Sequence, residues 1–376
     1  MDRTRRTAQH PPLDHVPSSP GSHTTRRTLL RAATLGAAGL TVPGLLSACG
    51  SDEAASAPAA GAGDLEQSSV KIFSVKDPQI SAQLAYALQE GMFEDAGLEV
   101  SIDYTINGPD MASLAASGSV QVISSGVDQC ATLREAGQDF SYLMKFSEIS
   151  NTQGVVLGPD VTINTPKDIE GKRIGMYNGA AVALAIESMC QAEGVDYSAI
   201  EFVNLEAPEQ VTALARGDID AMAAWEPYLS SAVASGGKLW FTGNRSYLHA
   251  DAGEDVDWLY LSTGLAVSQD YLKANPNTLL ALMRTLAEAT KRINADFEAA
   301  AEPIGKELDV PTDTLVPVLE ANAYDPVVDA RWLEGTKTFM AWAAQPAQGF
   351  FKETWDPLQL VDFSLFKQVD AEAVQV

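Results

Sequence analysis

Short apolar runs alternate with amphipathic stretches along much of this 376-residue chain. The runs Val70–Val75 and Leu98–Tyr104 have the length and composition of β-strands. Between them, apolar residues recur every three to four positions from Ile80 to Met92, which is typical of an amphipathic helix. Strands that alternate with helices in this way indicate βαβ units and a largely parallel sheet.

The alternation returns further along the chain, with strands predicted at Arg173–Tyr177, Ile200–Asn204 and Ile219–Ala224. Residues 109–118 align without a gap with residues 208–217, and each segment reads as a helix that leads into a strand. The match indicates two lobes of similar build, although common βα signals could also produce it by coincidence.

Two apolar segments are expected to connect the lobes. Val155–Leu157 would cross from the first lobe to the second, and Leu259–Val267 would return. Beyond Ser268 the pattern is mostly helical, and an apolar stripe from Leu279 to Ile293 predicts a helix packed on the core.

The first 48 residues have the layout of an export signal. A basic segment with the pair Arg26-Arg27 precedes an apolar run that ends in Leu46–Cys49. The arginine pair resembles a twin-arginine signal, and the Leu-Ser-Ala-Cys end resembles a lipobox in which Cys49 is lipidated. The alternative, a transmembrane helix, is disfavoured because the run is short and contains Pro43, whereas a span needs about 20 residues. Residues 49–69 are rich in Ser, Ala, Gly and Pro and predict a flexible tether.

Composition and net charge argue against several classes of function. The net charge of −25 and the isoelectric point near 4.4 disfavour a nucleic-acid partner. The three cysteines form no CxxC pair, and His249 is the one histidine outside the N-terminal segment. These counts argue against a zinc site and against histidine-based catalysis, so we expect no metal and no cofactor.

Candidate binding residues follow predicted strands, at four junctions where helices begin. Ligands of open α/β sheets bind at such strand ends, where free N–H groups and the helix dipole favour anionic groups. Several of these side chains have a simpler interpretation as helix caps, turn residues or core packing. The candidates are Asp77, Pro78, Gln79, Ser125, Gly126, Asp128, Asn178, Gly179, Ala180, Trp225 and Glu226, with Lys145 added from a strand end that could reach the same cleft.

Several segments together resemble the ABC solute-binding proteins of the nitrate, sulfonate, taurine and thiamine-precursor (NMT1/THI5-like) group. The resemblance covers about residues 70–243 and is weaker to about residue 296. It is carried by Ala85–Gly97, Leu114–Gly118, Asn164–Gly175, Gly217–Ala221 with Trp225–Pro227, and Asn275-Pro276.

The resemblance implies an α/β architecture of the type II periplasmic-binding-protein fold, with two doubly wound βα lobes joined by a two-segment hinge. One lobe would hold residues 70–154 plus 264–376, and the other residues 155–263. It further implies a monomer outside the cytoplasm, anchored to the outer face of the membrane through Cys49, that delivers a small molecule to an ABC permease and its ATPase. No catalytic residue is expected.

The candidate loops carry carboxylates but no arginine, which departs from simple anion binders of this group. A zwitterionic sulfonate such as taurine would fit, and a pyrimidine-like vitamin precursor stacked on Trp225 is the next choice. An enzyme on the same fold, a desulfinase or a small-molecule lyase, is the rival class, and an anchored receptor is a third. Against a cysteine nucleophile, the first loop offers Asp77, while Cys130 and Cys190 read as buried apolar residues or a disulfide pair.

Overall fold

The computed structural model describes residues 64–107 and 120–376. Its strands are β1 (Ser69–Val75), β2 (Glu99–Thr105), β3 (Val122–Ser125), β4 (Phe140–Glu148), β5 (Gln153–Leu157), β6 (Arg173–Met176), β7 (Glu201–Asn204), β8 (Ala221–Trp225), β9 (Lys238–Thr242), β10 (Arg245–Ser246), β11 (Glu254–Asp255) and β12 (Ser262–Ser268). The signal, Cys49, most of the tether and the first copy of the internal repeat lie outside the described residues.

The strands form two mixed sheets. The first has the order β2-β1-β3-β12-β4, with β1 parallel to β2 and β3, and β12 antiparallel to β3 and β4. The second has the order β11-β10-β9-β5-β8-β6-β7, with β6 parallel to β7 and β8. The parallel strands confirm the βαβ units, and the two sheets agree with the predicted fold class.

Helices follow the strands. They are α1 (Pro78–Gln89), α2 (Met92–Asp95), α3 (Val127–Glu135), α4 (Val182–Glu193), α5 (Ala207–Arg216), α6 (Tyr228–Ala234), α7 (Gln269–Ala274), α8 (Pro276–Ala295), α9 (Phe297–Leu308), α10 (Thr312–Ala321), α11 (Ala330–Ala343) and α12 (Phe366–Val369). Local sequence explains their ends. Pro78 occupies the first turn of α1 behind the capping residue Asp77, and α5 ends at Gly217, whose φ of 74° suits glycine.

The chain passes between the sheets twice. After β4 it enters the second sheet through a short 3₁₀ turn at Ser150–Thr152, and it returns just before β12. The predicted crossings at 155–157 and 259–267 therefore coincide with β5 and with the approach to β12. The residue limits of the two lobes stay a prediction.

The predicted apolar stripe of α8 packs as expected. Leu279, Leu282 and Met283 are fully buried in one cluster with Val70 and Ile72 of β1. Burial of large apolar side chains at about 1.5–3 kcal/mol each fixes this helix against the first sheet.

No helix in the described ranges is both long and apolar enough to cross a membrane. The same ranges contain no cluster of three or more His, Cys, Asp or Glu side chains arranged to hold a metal ion.

Candidate functional site

A cavity of about 80 Å³ lies where residues of the two sheets meet. The first sheet and its helices contribute the loop before α1 and the junction of β3 with α3. The second contributes β5, the loop before α4 and the end of β8. The predicted residues that line it are Asp77, Gln79, Ser125, Gly126, Asp128, Gly179, Ala180 and Trp225. All four predicted junctions thus contribute residues to one space.

The other predicted residues do not line this cavity. Pro78 starts α1, and its carbonyl accepts a hydrogen bond from the Tyr324 hydroxyl. The Asn178 backbone N–H donates to Asn204 Oδ1 at 3.0 Å. The Glu226 carboxylate accepts bonds from the backbone N–H and hydroxyl of Ser230, both at 3.0 Å. Glu226 therefore holds the start of α6 within its own half of the fold.

The structure also places Lys145 away from the cavity. Strand β4 runs to Glu148, so Lys145 lies within the strand and is 3% exposed. Its ammonium donates to the Val327 carbonyl at 3.0 Å and lies 3.6 Å from Asp325 Oδ2. Burial lowers the pKa of Lys145, against the opposing effect of Asp325. The site thus has no cation among its lining residues.

Asp77 has both of the roles considered for it, since it caps α1 and lines the cavity. Its Oδ1 accepts hydrogen bonds from the backbone N–H groups of Gln79 at 3.0 Å and Ile80 at 2.9 Å. The residue is 3% exposed, and burial raises the pKa of Asp77 to about 7, against the lowering effect of these two bonds. The N-terminus of α1 therefore already has its own anion.

Gln79 links the two sheets rather than offering free polar atoms. Its Nε2 donates to the Glu226 carbonyl at 3.0 Å. Its Oε1 accepts from Gln153 Nε2 and lies within hydrogen-bonding distance of the Thr152 hydroxyl, both at 2.7 Å. The Gln79 side chain therefore connects the start of α1 to the beginning of β5 and to the end of β8.

The N-termini of α3 and α4 differ in charge. Neither has a side-chain cap, but α3 has Asp128 in its first turn, whereas the first turn of α4 has no acidic residue. A Cβ at Gly126 would collide with Asp128 Oδ1, so glycine lets this carboxylate fold over the start of α3. Burial raises the pKa of Asp128, while a bond from Gln129 Nε2 at 2.9 Å lowers it. Only α4 of these two helices presents an unneutralised positive dipole end to the cavity.

Trp225 supplies a buried donor without an acceptor. The residue is 6% exposed and packs edge-on against Tyr228, with ring centroids 6.2 Å apart. Its Nε1–H has no hydrogen-bond partner in the described part of the protein. A buried indole N–H normally finds a partner, so a bound molecule is the natural acceptor here.

Several lining residues were not predicted. Gln129 directly follows the predicted residue Asp128, and Gln153 of β5 lies opposite the predicted residue Trp225 of β8. The apolar residues Ile149 and Leu261 lie next to the two segments in which the chain passes between the sheets. Phe339 and Phe350 come from the C-terminal region, where nothing in the local pattern distinguishes them from core aromatics. Only the long-range return of the chain brings them to the cavity.

Cys130 and Cys190 are free, buried thiols and do not line the cavity. Burial raises the pKa of Cys190 to about 12 and also raises the pKa of Cys130. Both are therefore protonated at neutral pH, and the interpretation as buried apolar residues is confirmed.

Comparisons with a family model and with known proteins indicate the same protein family. The NMT1/THI5-like family model matches residues 79–300. A Bacillus subtilis (strain 168) protein assigned to aliphatic sulfonate binding is 24% identical over 212 residues, which is 55% of this chain and 61% of that protein. The taurine-binding periplasmic protein of Escherichia coli (strain K12) is 26% identical over 130 residues, 35% of this chain and 40% of that one. The matches thus span less than two thirds of either relative.

Solved structures share the fold. An alkanesulfonate-binding protein from Xanthomonas axonopodis pv. citri bound to MOPS has a TM-score of 0.64 at 16% identity, with 79% of this chain and 98% of that one covered. A desulfurization enzyme in complex with biphenyl-2-sulfinic acid has a TM-score of 0.60 at 14% identity, covering 81% and 99%. Binding proteins and an enzyme thus occur on this architecture. With more than half of its length matched by the family model, the chain belongs to the NMT1/THI5-like family.

Proposed function

We propose that this protein is the extracytoplasmic solute-binding component of an ABC importer and that it binds a small zwitterion, with a taurine-like sulfonate favoured. One observation carries the proposal: the cavity is polarised across the cleft. Donors lie on the second-sheet side, at the start of α4 and at Trp225 Nε1. Carboxylates lie on the first-sheet side, at Asp77 and Asp128.

The anionic end of the solute would lie at the start of α4. Backbone N–H groups at a helix N-terminus and the positive end of the helix dipole favour sulfonate, phosphate and carboxylate groups. The Trp225 indole N–H adds a directional donor on the same side. Gly179 has a φ of 83° in the turn before α4, so a glycine there allows the backbone to approach the anion.

The size of the cavity suits a small solute. The cavity volume of about 80 Å³ is several times the ~10–15 Å³ that admits one water molecule. It is therefore a space for a solute of few non-hydrogen atoms. A large ligand would require the two halves to separate further.

Binding at both ends of one solute would favour closure of the two halves. Contacts to α4 and to Asp128 form together only when the halves are close, and a ligand shifts a conformational equilibrium only through such differential contacts. Release of the unchanged solute to a permease would follow hinge opening. The similarity to sulfonate- and taurine-binding proteins supports this role.

Calorimetric titration of the purified protein with four compounds tests the proposal. Taurine should bind more than tenfold more tightly than ethanesulfonate, which lacks the ammonium, and than ethylamine, which lacks the sulfonate. A hydroxymethylpyrimidine should give weaker heat than taurine. Tighter binding of the pyrimidine would support the vitamin-precursor alternative and contradict the sulfonate assignment.

The same samples distinguish a binding protein from an enzyme. Mass spectrometry after prolonged incubation should recover taurine unchanged. Release of sulfite or another product would support the enzyme alternative, although neither described cysteine reaches the cavity to act as a nucleophile.

A further inference from the structure

The C-terminal strap, defined as residues 339–355, connects both halves of the fold around the cavity. On the second-sheet side, Trp342 Nε1 donates to Glu187 Oε2 of α4 at 2.7 Å, and Gln348 Nε2 donates to the same oxygen at 3.1 Å. On the first-sheet side, the Lys352 backbone N–H donates to Glu135 Oε1 of α3 at 2.9 Å. The strap is therefore hydrogen-bonded to α4 on one side of the cavity and to α3 on the other.

Between these two points the strap supplies aromatic rings to the cavity wall. Phe339 and Phe350 both line it, with ring centroids 6.2 Å apart and ring planes at 80°. Trp342 packs against both, at 5.6 Å from Phe339 and 5.3 Å from Phe350. The Trp342–Glu187 hydrogen bond therefore determines where the two phenylalanine rings lie.

Phe339 is also close to the carboxylate of Asp128. The two residues line the main cavity together, and they share a small recess of about 10 Å³ next to it, which Leu261 and Ser262 also line. Each carboxyl has one oxygen engaged within the fold, since Asp77 Oδ1 accepts two backbone bonds and Asp128 Oδ2 accepts one bond from Gln129 Nε2. On the opposite side the unpartnered indole N–H of Trp225 marks the anionic end.

We propose that Asp128, Phe339 and Phe350 form a subsite for the cationic end of the solute, that this subsite accepts N-methylated as well as primary ammonium groups, and that Glu187 is the positioning residue of its aromatic wall. The inference rests on the proposed function and extends it to the substrate class. A carboxylate supplies charge, while aromatic faces attract a cation without requiring N–H donors. The recess has the volume of about one water or methyl group.

Selectivity between cationic and neutral sulfonates tests the subsite. Taurine, N-methyltaurine and N,N,N-trimethyltaurine should each bind at least tenfold more tightly than ethanesulfonate. Asp128→Asn should remove most of this preference. Phe339→Leu and Phe350→Leu keep an apolar wall but lose the ring face, so they should reduce the preference for cationic sulfonates over ethanesulfonate about fivefold. Equal loss for all four sulfonates, or rejection of both methylated taurines, would overturn the subsite.

The positioning role of Glu187 has its own measurement. Glu187→Ala should increase hydrogen exchange across residues 339–355 and reduce the preference for taurine over ethanesulfonate about as much as Phe350→Leu. Glu187→Gln retains an acceptor for the indole N–H and should restore most of both properties. Glu193→Ala is the matched control, since Glu193 lies on the same helix but pairs with His249 at 3.1 Å. Unchanged exchange in Glu187→Ala would contradict the positioning role.

Tetramethylammonium separates failure of the subsite from failure of the proposed function. Millimolar binding that Asp128→Asn abolishes would support the cation subsite even if no sulfonate binds, in which case only the sulfonate assignment fails. Absence of Asp128-dependent binding of tetramethylammonium, together with tight taurine binding, would leave the proposed function intact and refute the aromatic cation subsite.

Discussion

At the scale of single residues, the site combines two unusual groups on opposite sides of one small space. Asp77 is a buried carboxyl with a pKa raised to about 7, and Trp225 is a buried donor with no acceptor in residues 64–107 and 120–376. Perturbed titratable groups and unsatisfied polar atoms gather at functional sites because binding geometry is maintained there at some cost in stability. For each of these two residues we expect a mutational effect that substitution of an ordinary core residue would not produce.

Asp77→Asn should alter the pH dependence of stability. Asparagine keeps a side-chain acceptor for the start of α1, so the cap is retained, but it cannot titrate. Because the folded-state pKa of Asp77 lies above its unfolded value, the folded protein binds an extra proton between about pH 4 and 7, and its stability falls as pH rises through this window. The wild-type free energy of unfolding should therefore decrease relative to Asp77→Asn by up to about 4 kcal/mol from pH 4 to pH 7.

Denaturant unfolding of both proteins at several pH values measures this difference. An unchanged difference between pH 4 and 7 would show that Asp77 titrates normally, and would contradict its burial as a carboxyl at the cavity.

Trp225→Phe should cost affinity more than stability. The variant removes an N–H that has no acceptor among the described residues, and a lost hydrogen bond to a charged ligand costs about 1.5–3 kcal/mol of binding. Trp332→Phe is the matched control for stability, since Trp332 Nε1 donates to Ser262 Oγ at 3.2 Å. Both variants lose ring volume, but Trp332→Phe should be less stable than Trp225→Phe by about 1 kcal/mol. Equal taurine affinity of Trp225→Phe and wild type would exclude Trp225 from the anionic end.

At the scale of elements, the starts of helices determine what the cavity can bind. The first turn of α1 is capped by Asp77, and that of α3 contains Asp128. The first turn of α4 has no acidic residue, so no carboxylate neutralises its dipole, although the N–H groups of Ala183 and Leu184 already donate to the carbonyls of Ala180 and Ala181. Among the described residues, the cavity therefore combines one helix start without an acidic residue and two carboxyl groups, the arrangement from which we propose a zwitterionic ligand.

Ala181→Asp should separate stability from binding. A carboxylate at the start of α4 interacts favourably with the helix dipole, so the free energy of unfolding should stay level or rise by about 0.3–1 kcal/mol. Taurine affinity should fall more than tenfold, because the new charge takes the place of the sulfonate. Ala181→Asn is the neutral control of the same size and should retain most of the affinity. Undiminished binding in Ala181→Asp would place the anion elsewhere.

The convergence of the strand-end junctions was predictable from sequence, because the carboxyl ends of parallel strands share one edge of a sheet. Asp77-Pro78 identified the start of α1, and Gly217 identified the end of α5. These features depend on residues near each other along the chain. Local signals of this kind also distinguished strands from helices through most of residues 70–225.

The errors came from strand length and from long-range returns of the chain. Lys145 looked like a residue beyond a strand end, but β4 continues to Glu148, which buries Lys145 beside Val327. Phe339 and Phe350 reach the cavity only because α11 and the chain after it return across both halves. No period or motif marks such a return, so their role required coordinates.

At the scale of the whole molecule, the two sheets are already connected by side chains that do not need a ligand. Gln79 ties α1 to β5 and β8, and the strap ties α3 to α4. These hydrogen bonds hold the two halves close together. The cavity between the halves has donors on one side and carboxyl groups on the other, so the proposed zwitterion would contact both. The strong negative charge of the chain, −25, provides no long-range attraction for an anion, so binding of the proposed sulfonate would depend on local dipoles.

Cys49→Ser should release the protein from the membrane. A hydroxyl cannot form the thioether link to a lipid, and stable anchoring requires more than one acyl chain. In cells labelled with palmitate, the wild-type protein should incorporate label and sediment with membranes, whereas the variant should do neither. Ser51→Ala, two residues away, is the control and should behave as wild type. Membrane association of Cys49→Ser would contradict a lipid anchor at this residue.

A crystal structure of the protein with taurine tests the central claim most directly. The account predicts sulfonate oxygens within hydrogen-bonding distance of Trp225 Nε1 and of the backbone N–H groups at the start of α4, with the ammonium facing Asp128 and the rings of Phe339 and Phe350. A ligand in the reverse orientation, or one bound outside the cavity between the two sheets, would contradict it.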